Sequence, residues 1–223
     1  MIETRYRVTT EVRASKGPAG PRLEGYASVF NQPTQLPGFR ETIRSTAFDR
    51  ALKEKHDAVA LWNHNADMPL GRVSSGTLRL NTDSRGLHFV VDLPNTSWGK
   101  DAHESVRVGN VTGTSFGFMV DDPAGQTWSE QKADDGTHYI QRDIHDLKLL
   151  DISPATFPAY SGTDIQARAI QPPAELRSRV LRYGFIMPTV AECLEITRRA
   201  EERHQREAAE ARNRRNNLLN QVL

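Results

Sequence analysis

A mainly β fold with flanking helices (α+β) is predicted for this chain, and three features of the sequence predict it. Short segments across the first ~170 residues alternate polar and apolar side chains with the two-residue period of half-buried strands. Gly, Pro, Asn and Asp clusters punctuate these segments as turns. Helical spacing with a capping residue occurs in only a few short stretches. About eight strands and two helices fit a largely antiparallel barrel or sandwich decorated by helices.

Taken in order, Tyr6 to Ala14 and Leu23 to Phe30 alternate as strands. Gln32-Pro33 and Leu36-Pro37-Gly38 mark a loop, and Ser45 or Thr46 is placed to cap a short helix through Phe48, Ala51 and Leu52. Ala58 to Trp62 is a short apolar run ending in Asn63-His64-Asn65. Leu70 to Leu80 and Leu87 to Leu93 read as strands joined through a turn-rich connection over 81–86. Asn95 or Thr96 caps a helix through Ala102, Val106 and Val108 that Gly109-Asn110 closes. Thr112 to Val120 is a strand, Asp121 to Gly136 a polar excursion, and Tyr139 to Ile144 and Leu147 to Ile152 are further strands. Phe157 to Tyr160 ends the regular pattern, and Ile165 to Ile170 is a candidate edge strand.

Gln171-Pro172-Pro173 reads as a boundary, dividing a domain over 1–170 from a charged helical tail over 171–223. Within the tail, Thr189-Val190-Ala191-Glu192 matches a capping box, and Val190, Cys193, Leu194 and Thr197 give the helix one thin apolar face. From Arg198 to Asn217 the composition suits either a solvated helix or one that docks on a partner or another copy of the chain.

The 223 residues suffice for one substantial domain plus an appendage, and 37% apolar against 26% charged residues suggests that part of the chain stays out of the core. With 29 basic and 28 acidic residues, net charge +1, nothing in the overall balance points to nucleic acid or a membrane as partner. No stretch approaches the ~20 apolar residues of a membrane span, and the opening residues lack the apolar block of a signal peptide. One cysteine, Cys193, has no internal disulfide partner, which suits a reducing compartment. A soluble protein made in a cytoplasm is expected.

Nucleophilic catalysis at neutral pH needs an accessible hydroxyl or thiol, a base within hydrogen-bond reach, and a third group to orient that base. In Gly113-Thr114-Ser115-Phe116-Gly117-Phe118, strand geometry puts Ser115, Gly117 and Met119 on one face and the aromatic residues on the other. The aromatic face suits burial, and the Ser115 face suits a cleft, with glycines leaving room for a substrate backbone. Small residues in a strand usually mean tight packing or a bulge. His64 follows an apolar strand, where a rigid element would hold a proton acceptor, although a plain surface-loop histidine fits the same place. Asp151 ends an apolar strand and needs water, a donor or a cation, which orienting an imidazole or capping the turn at Ser153-Pro154 would each supply. His138, His145, Asp143 and Asp146 can be assembled into a metal site on paper, but their spacing matches no closed zinc pattern. No metal and no cofactor is expected.

Taken jointly, these fragments resemble the tailed-phage prohead (capsid-maturation) proteases in order and spacing. The resemblance is carried by Gly25-Tyr26-Ala27-Ser28-Val29-Phe30, by Thr46-Ala47-Phe48, and by Trp62-Asn63-His64 followed by Met68-Pro69-Leu70-Gly71-Arg72. It continues through the helix from Trp98-Gly99 to Arg107-Val108-Gly109, Ser115 to Phe118, and the segment from Asp151 through Thr156-Phe157-Pro158-Ala159-Tyr160. It spans roughly residues 20 to 165.

That resemblance implies a serine peptidase related in fold to the herpesvirus assemblins, an antiparallel β-barrel decorated by helices. By position it implies Ser115 as nucleophile, His64 as general base and Asp151 as third member, where the family often carries Glu. The oxyanion donors do not follow from the motif, and the backbone N–H of Phe116 or Gly117 is the suggestion. It further implies an endopeptidase inside the immature procapsid in the host cytoplasm, cleaving the scaffolding segment of the major capsid protein and also itself. Self-association is a further expectation, whereas nucleic acid and membrane are not expected as partners. The alternative is a non-catalytic capsid-assembly module built on the same barrel. A metal-dependent hydrolase through His138 and His145 would show as chelator sensitivity, and none is expected.

Overall fold

The structure, a computed structural model, describes residues 3–7, 12–18, 20–36, 38–156 and 172–182. The segments around Phe157 to Tyr160, Ile165 to Ile170 and Thr189 onward, discussed above, lie outside these residues. In chain order the strands are β1 (Glu3–Arg7), β2 (Val12–Gly17), β3 (Gly20–Val29), β4 (Thr34–Leu36), β5 (Phe39–Ile43), β6 (Val59–Trp62) and β7 (Asn65–Arg72). They continue as β8 (Leu78–Thr82), β9 (Gly86–Asp92), β10 (Gly113–Met119), β11 (Gln126–Lys132), β12 (His138–Ile144) and β13 (Lys148–Ala155). The helices are α1 (Asp49–Lys53), α2 (Ser97–Arg107) and a third over Ala174–Arg182.

The fold is mainly β with few helices, as expected, but the strands form three sheets that do not close into a barrel. Their orders are β1-β10-β13-β6-β7, β11-β12-β5-β4 and β2-β3-β9-β8. Most pairs are antiparallel, yet β12 runs parallel to β5 and β13 parallel to β6. Parallel neighbours need a crossover connection, so they come from segments far apart in the chain. Strand patterning reports which residues alternate and says nothing about such partners.

Several boundaries differ from the sequence expectation for local reasons. Tyr6 to Ala14 is not one strand: β1 pairs with β10 and β2 pairs with β3, in different sheets. Leu70 to Leu80 is interrupted by a turn in which Gly76 takes φ +72° and Ser75 Oγ donates to the Arg72 carbonyl at 3.1 Å. The polar excursion contains β11, laddered to β12 from Gln126↔Ile144 to Lys132↔His138. As an edge strand mostly in contact with water, β11 has no buried face to impose alternation. Helix α1 takes Phe48 as its N-cap without a side-chain cap bond, while Thr46 Oγ1 donates to the His145 carbonyl at 3.0 Å. By contrast α2 is capped as read, with the Thr96 hydroxyl accepting from Gly99 N–H at 3.1 Å.

One large core joins the sheets and both early helices. Leu23, Phe48, Phe89, Phe116, Phe118 and Ile152 have no exposed surface. Phe116 stacks on Phe118 with ring centroids 5.3 Å apart and meets Phe48 edge-on at 5.8 Å. Burying each ring contributes about 1.5–3 kcal/mol, and together they pin one face of β10 to the core. The other face of β10 therefore presents Ser115 and Gly117. A smaller cluster of Leu36, Phe39 and Ile140 lies in the second sheet, where Trp128 and Leu176 of the third helix pack against it. No helix among the described residues is long and apolar enough to cross a membrane.

Candidate active site

Three segments meet on the face of the first sheet that points away from the core. Residue Ser115 lies opposite Ser153, and Gly117 opposite Asp151, in the antiparallel β10–β13 ladder. Alternation along β13 from Leu149, which faces the core, would turn Asp151 inward too. A bulge prevents this: Phe118 pairs with Leu149 and Gly117 with Asp151, so Leu150 is the extra residue. The bulge brings the Asp151 carboxylate onto the Ser115 face while Ile152 returns to the core.

The third segment is the β6–β7 hairpin. Trp62 pairs with Asn65, so Asn63-His64 is a two-residue loop. Both loop residues take positive φ, +53° and +58°, as a type I′ turn requires. Asn enters this region readily and His is among the residues enriched there. The turn hangs His64 over β13, beside Asp151.

The resulting contacts form a series. His64 Nδ1 lies 2.7 Å from Asp151 Oδ1, and His64 Nε2 lies 2.6 Å from Ser115 Oγ. A carboxylate only accepts, so Nδ1 carries the proton and donates it, which leaves the Nε2 lone pair to accept from the Ser115 hydroxyl. Ser153 Oγ donates to the same Asp151 Oδ1 at 2.8 Å and accepts the His64 backbone N–H at 3.2 Å. The Asp151 Oδ2 lies where a Cβ on Gly117 would stand, 2.1 Å away. Side-chain exposure is 25% for His64 and 16% for Asp151, so the pair is only partly screened by water.

Burial of Ser115 departs from the expectation of a residue open to a cleft: it has no exposed surface. Phe116 and Gly117, the suggested oxyanion donors, lie in β10 between β1 and β13, with a ladder on either side. A groove of about 850 Å³ borders the carboxylate, walled by Val59, Leu61, Pro69, Leu70, Leu150 and Asp151 among others. Sequence reasoning missed Ser153 and Asn63, which touch the histidine or hold its loop. An Asn between a short apolar run and a second strand was the available signal for a turn with positive φ.

Among the described residues the other histidines have local partners. His138 faces Glu130 at 2.7 Å, His145 Nε2 meets Thr127 Oγ1 at 3.0 Å, and His103 donates to the Ser15 carbonyl at 3.1 Å. Asp143 pairs with Arg44 and Asp146 with Arg50. These contacts spread out the residues that looked combinable on paper, and among the described residues no three His, Cys, Asp or Glu side chains gather as a metal would require.

A serine hydroxyl, an imidazole and a carboxylate hydrogen-bonded in series on a rigid sheet is the arrangement of a serine peptidase. The chain belongs to the caudovirus prohead serine protease family, whose model matches residues 8–175. Among solved structures it is similar to the capsid assembly protease of bacteriophage T4, at 11% identity and a TM-score of 0.44, covering 71% of this chain and 97% of that one. No curated protein matches the chain in sequence.

Proposed function

We propose that this prohead protease is a Ser-His-Asp endopeptidase with Ser115 as nucleophile, His64 as general base and Asp151 as the group that orients the base. The observation that carries the reading is the unbroken contact series of 2.6 Å and 2.7 Å between residues from three separate segments. In the reaction His64 Nε2 takes the Ser115 proton as Oγ attacks a peptide carbonyl. The imidazolium then protonates the leaving amine, and Asp151 stabilises its charge throughout. Water, activated by the same imidazole, releases the acyl group from Ser115.

The proposed substrate is the scaffolding segment of the major capsid protein, together with the chain itself, inside the immature procapsid in the host cytoplasm. Family membership supports a capsid-protein substrate, and the apolar groove beside Asp151 offers room for peptide side chains. Residues 1–170 would form the protease domain and 171–223 a charged tail that is removed or touches scaffold; the tail starts seated, since Leu176 packs near Trp128. Uncontrolled proteolysis would destroy unassembled subunits, so we place activation at assembly or at tail removal, in line with the burial of Ser115. Self-association at that stage is part of the same reading.

Co-expression with the capsid protein, followed by intact mass, tests this. A capsid subunit shortened at one end by the wild-type chain and left whole by Ser115→Ala is expected. Full-length subunits with both chains under assembling conditions would point instead to a non-catalytic assembly module. In turnover measurements Ser115→Ala and His64→Ala are each expected to lose about 10⁴- to 10⁶-fold, and Asp151→Ala less.

A further inference from the structure

We propose that Asn63 and Ser153 are positioning residues that hold the His64 imidazole in line between Asp151 and Ser115. The inference rests on His64 being the base. Two consecutive non-glycine residues at φ +53° and +58° form a conformation that persists only where surrounding contacts over-determine it. Here the last residues of β13 and the residue after it supply those contacts. Asn63 N–H donates to the Pro154 carbonyl at 3.2 Å, and Asn63 Oδ1 accepts the Thr156 N–H at 2.8 Å. Asn63 Nδ2 reaches Thr156 Oγ1 at 3.4 Å, and the His64 N–H ends on Ser153 Oγ at 3.2 Å.

The Ser153 hydroxyl is the more central of the two. It has no exposed surface and lies directly across the ladder from Ser115. Its one proton goes to Asp151 Oδ1 at 2.8 Å, and its lone pair receives the histidine main chain. A single buried oxygen therefore sets the distance between the carboxylate and the backbone of the residue that the carboxylate orients. Without it the carboxylate loses a donor and the turn loses an anchor at once. Both residues direct their hydrogen bonds to His64, Asp151 and the end of β13, so their effect belongs in the chemical step.

Kinetics on a fluorogenic peptide spanning the mapped capsid cleavage site separate this role from a structural one. For Ser153→Ala and Asn63→Gly the expected result is a kcat lower by about 10- to 100-fold with KM within about twofold, because a small misplacement of a catalytic group acts on turnover. Glycine accepts positive φ without strain, so Asn63→Gly keeps the turn while removing the side-chain clamp. Asn63→Asp keeps the Oδ1 acceptor for Thr156 and is expected to retain kcat within about threefold of wild type. Wild-type kcat in Ser153→Ala and Asn63→Gly, or an Asn63→Asp as impaired as Asn63→Gly, would overturn the proposal. His64→Ala is the control: if it still turned over, the assignment of the base would fall first, and this inference with it.

Discussion

An added methyl at Gly117 would stand 2.1 Å from Asp151 Oδ2, a separation that real atoms do not tolerate. Because Asp151 is tied to both His64 and Ser153, its carboxylate has little freedom to yield. Gly117→Ala is accordingly expected to lower kcat by about 10- to 100-fold while costing only about 1–3 kcal/mol in stability, measured by kinetics beside denaturant melts. Unchanged turnover would mean that the carboxylate position does not matter. At this scale the two-residue period revealed that Ser115 and Gly117 share a face opposite Phe116 and Phe118. It did not reveal why Gly117 must be glycine, since the atom it makes room for comes from another strand. Asn63 and Ser153 were equally silent, because a hydrogen-bonding role depends on which strand arrives next to them. The exposure of Ser115 was misjudged for the same reason: alternation tells a residue's side of the sheet, not what lies over that side.

Individual strands were readable wherever one face enters the core, as in β3 and β9, because burial of alternate residues imposes the pattern. Strand β11 escaped notice because none of its residues is fully buried, so no strict alternation is imposed. The bulge at Leu150 also escaped, since one extra residue in an apolar run leaves no mark in composition, yet it decides which way Asp151 points. Parallel pairing of β5 with β12 places Glu41 beside Arg142, and the two side chains form a 2.8 Å ion pair at 0% and 2% exposure. Leaving either charge there without its partner costs more than the pair contributes. Glu41→Ala is expected to destabilise the protein by about 3–5 kcal/mol, with catalysis per folded molecule unchanged, as denaturant melts and active-site titration would show. A loss under about 1 kcal/mol would mean that water reaches the guanidinium.

For the whole molecule, the class of fold was foreseeable and its assembly was not. Short alternating segments and few helices implied a β protein, but three sheets with two parallel joins, rather than a closed barrel, follow from long-range partners. That assembly brings residues 64, 115 and 151 together on one sheet face and backs Ser115 with a stack of buried phenylalanines. The third helix meets the second sheet, where Leu176 packs against the cluster of Leu36, Phe39 and Ile140. Mapping by mass spectrometry after treatment with diisopropyl fluorophosphate, while capsid protein is being cleaved, tests the central claim most directly. A single phosphoryl adduct on Ser115, lost in His64→Ala, is the result expected. Continued capsid cleavage with Ser115 unmodified, or an adduct on a different serine, would contradict it.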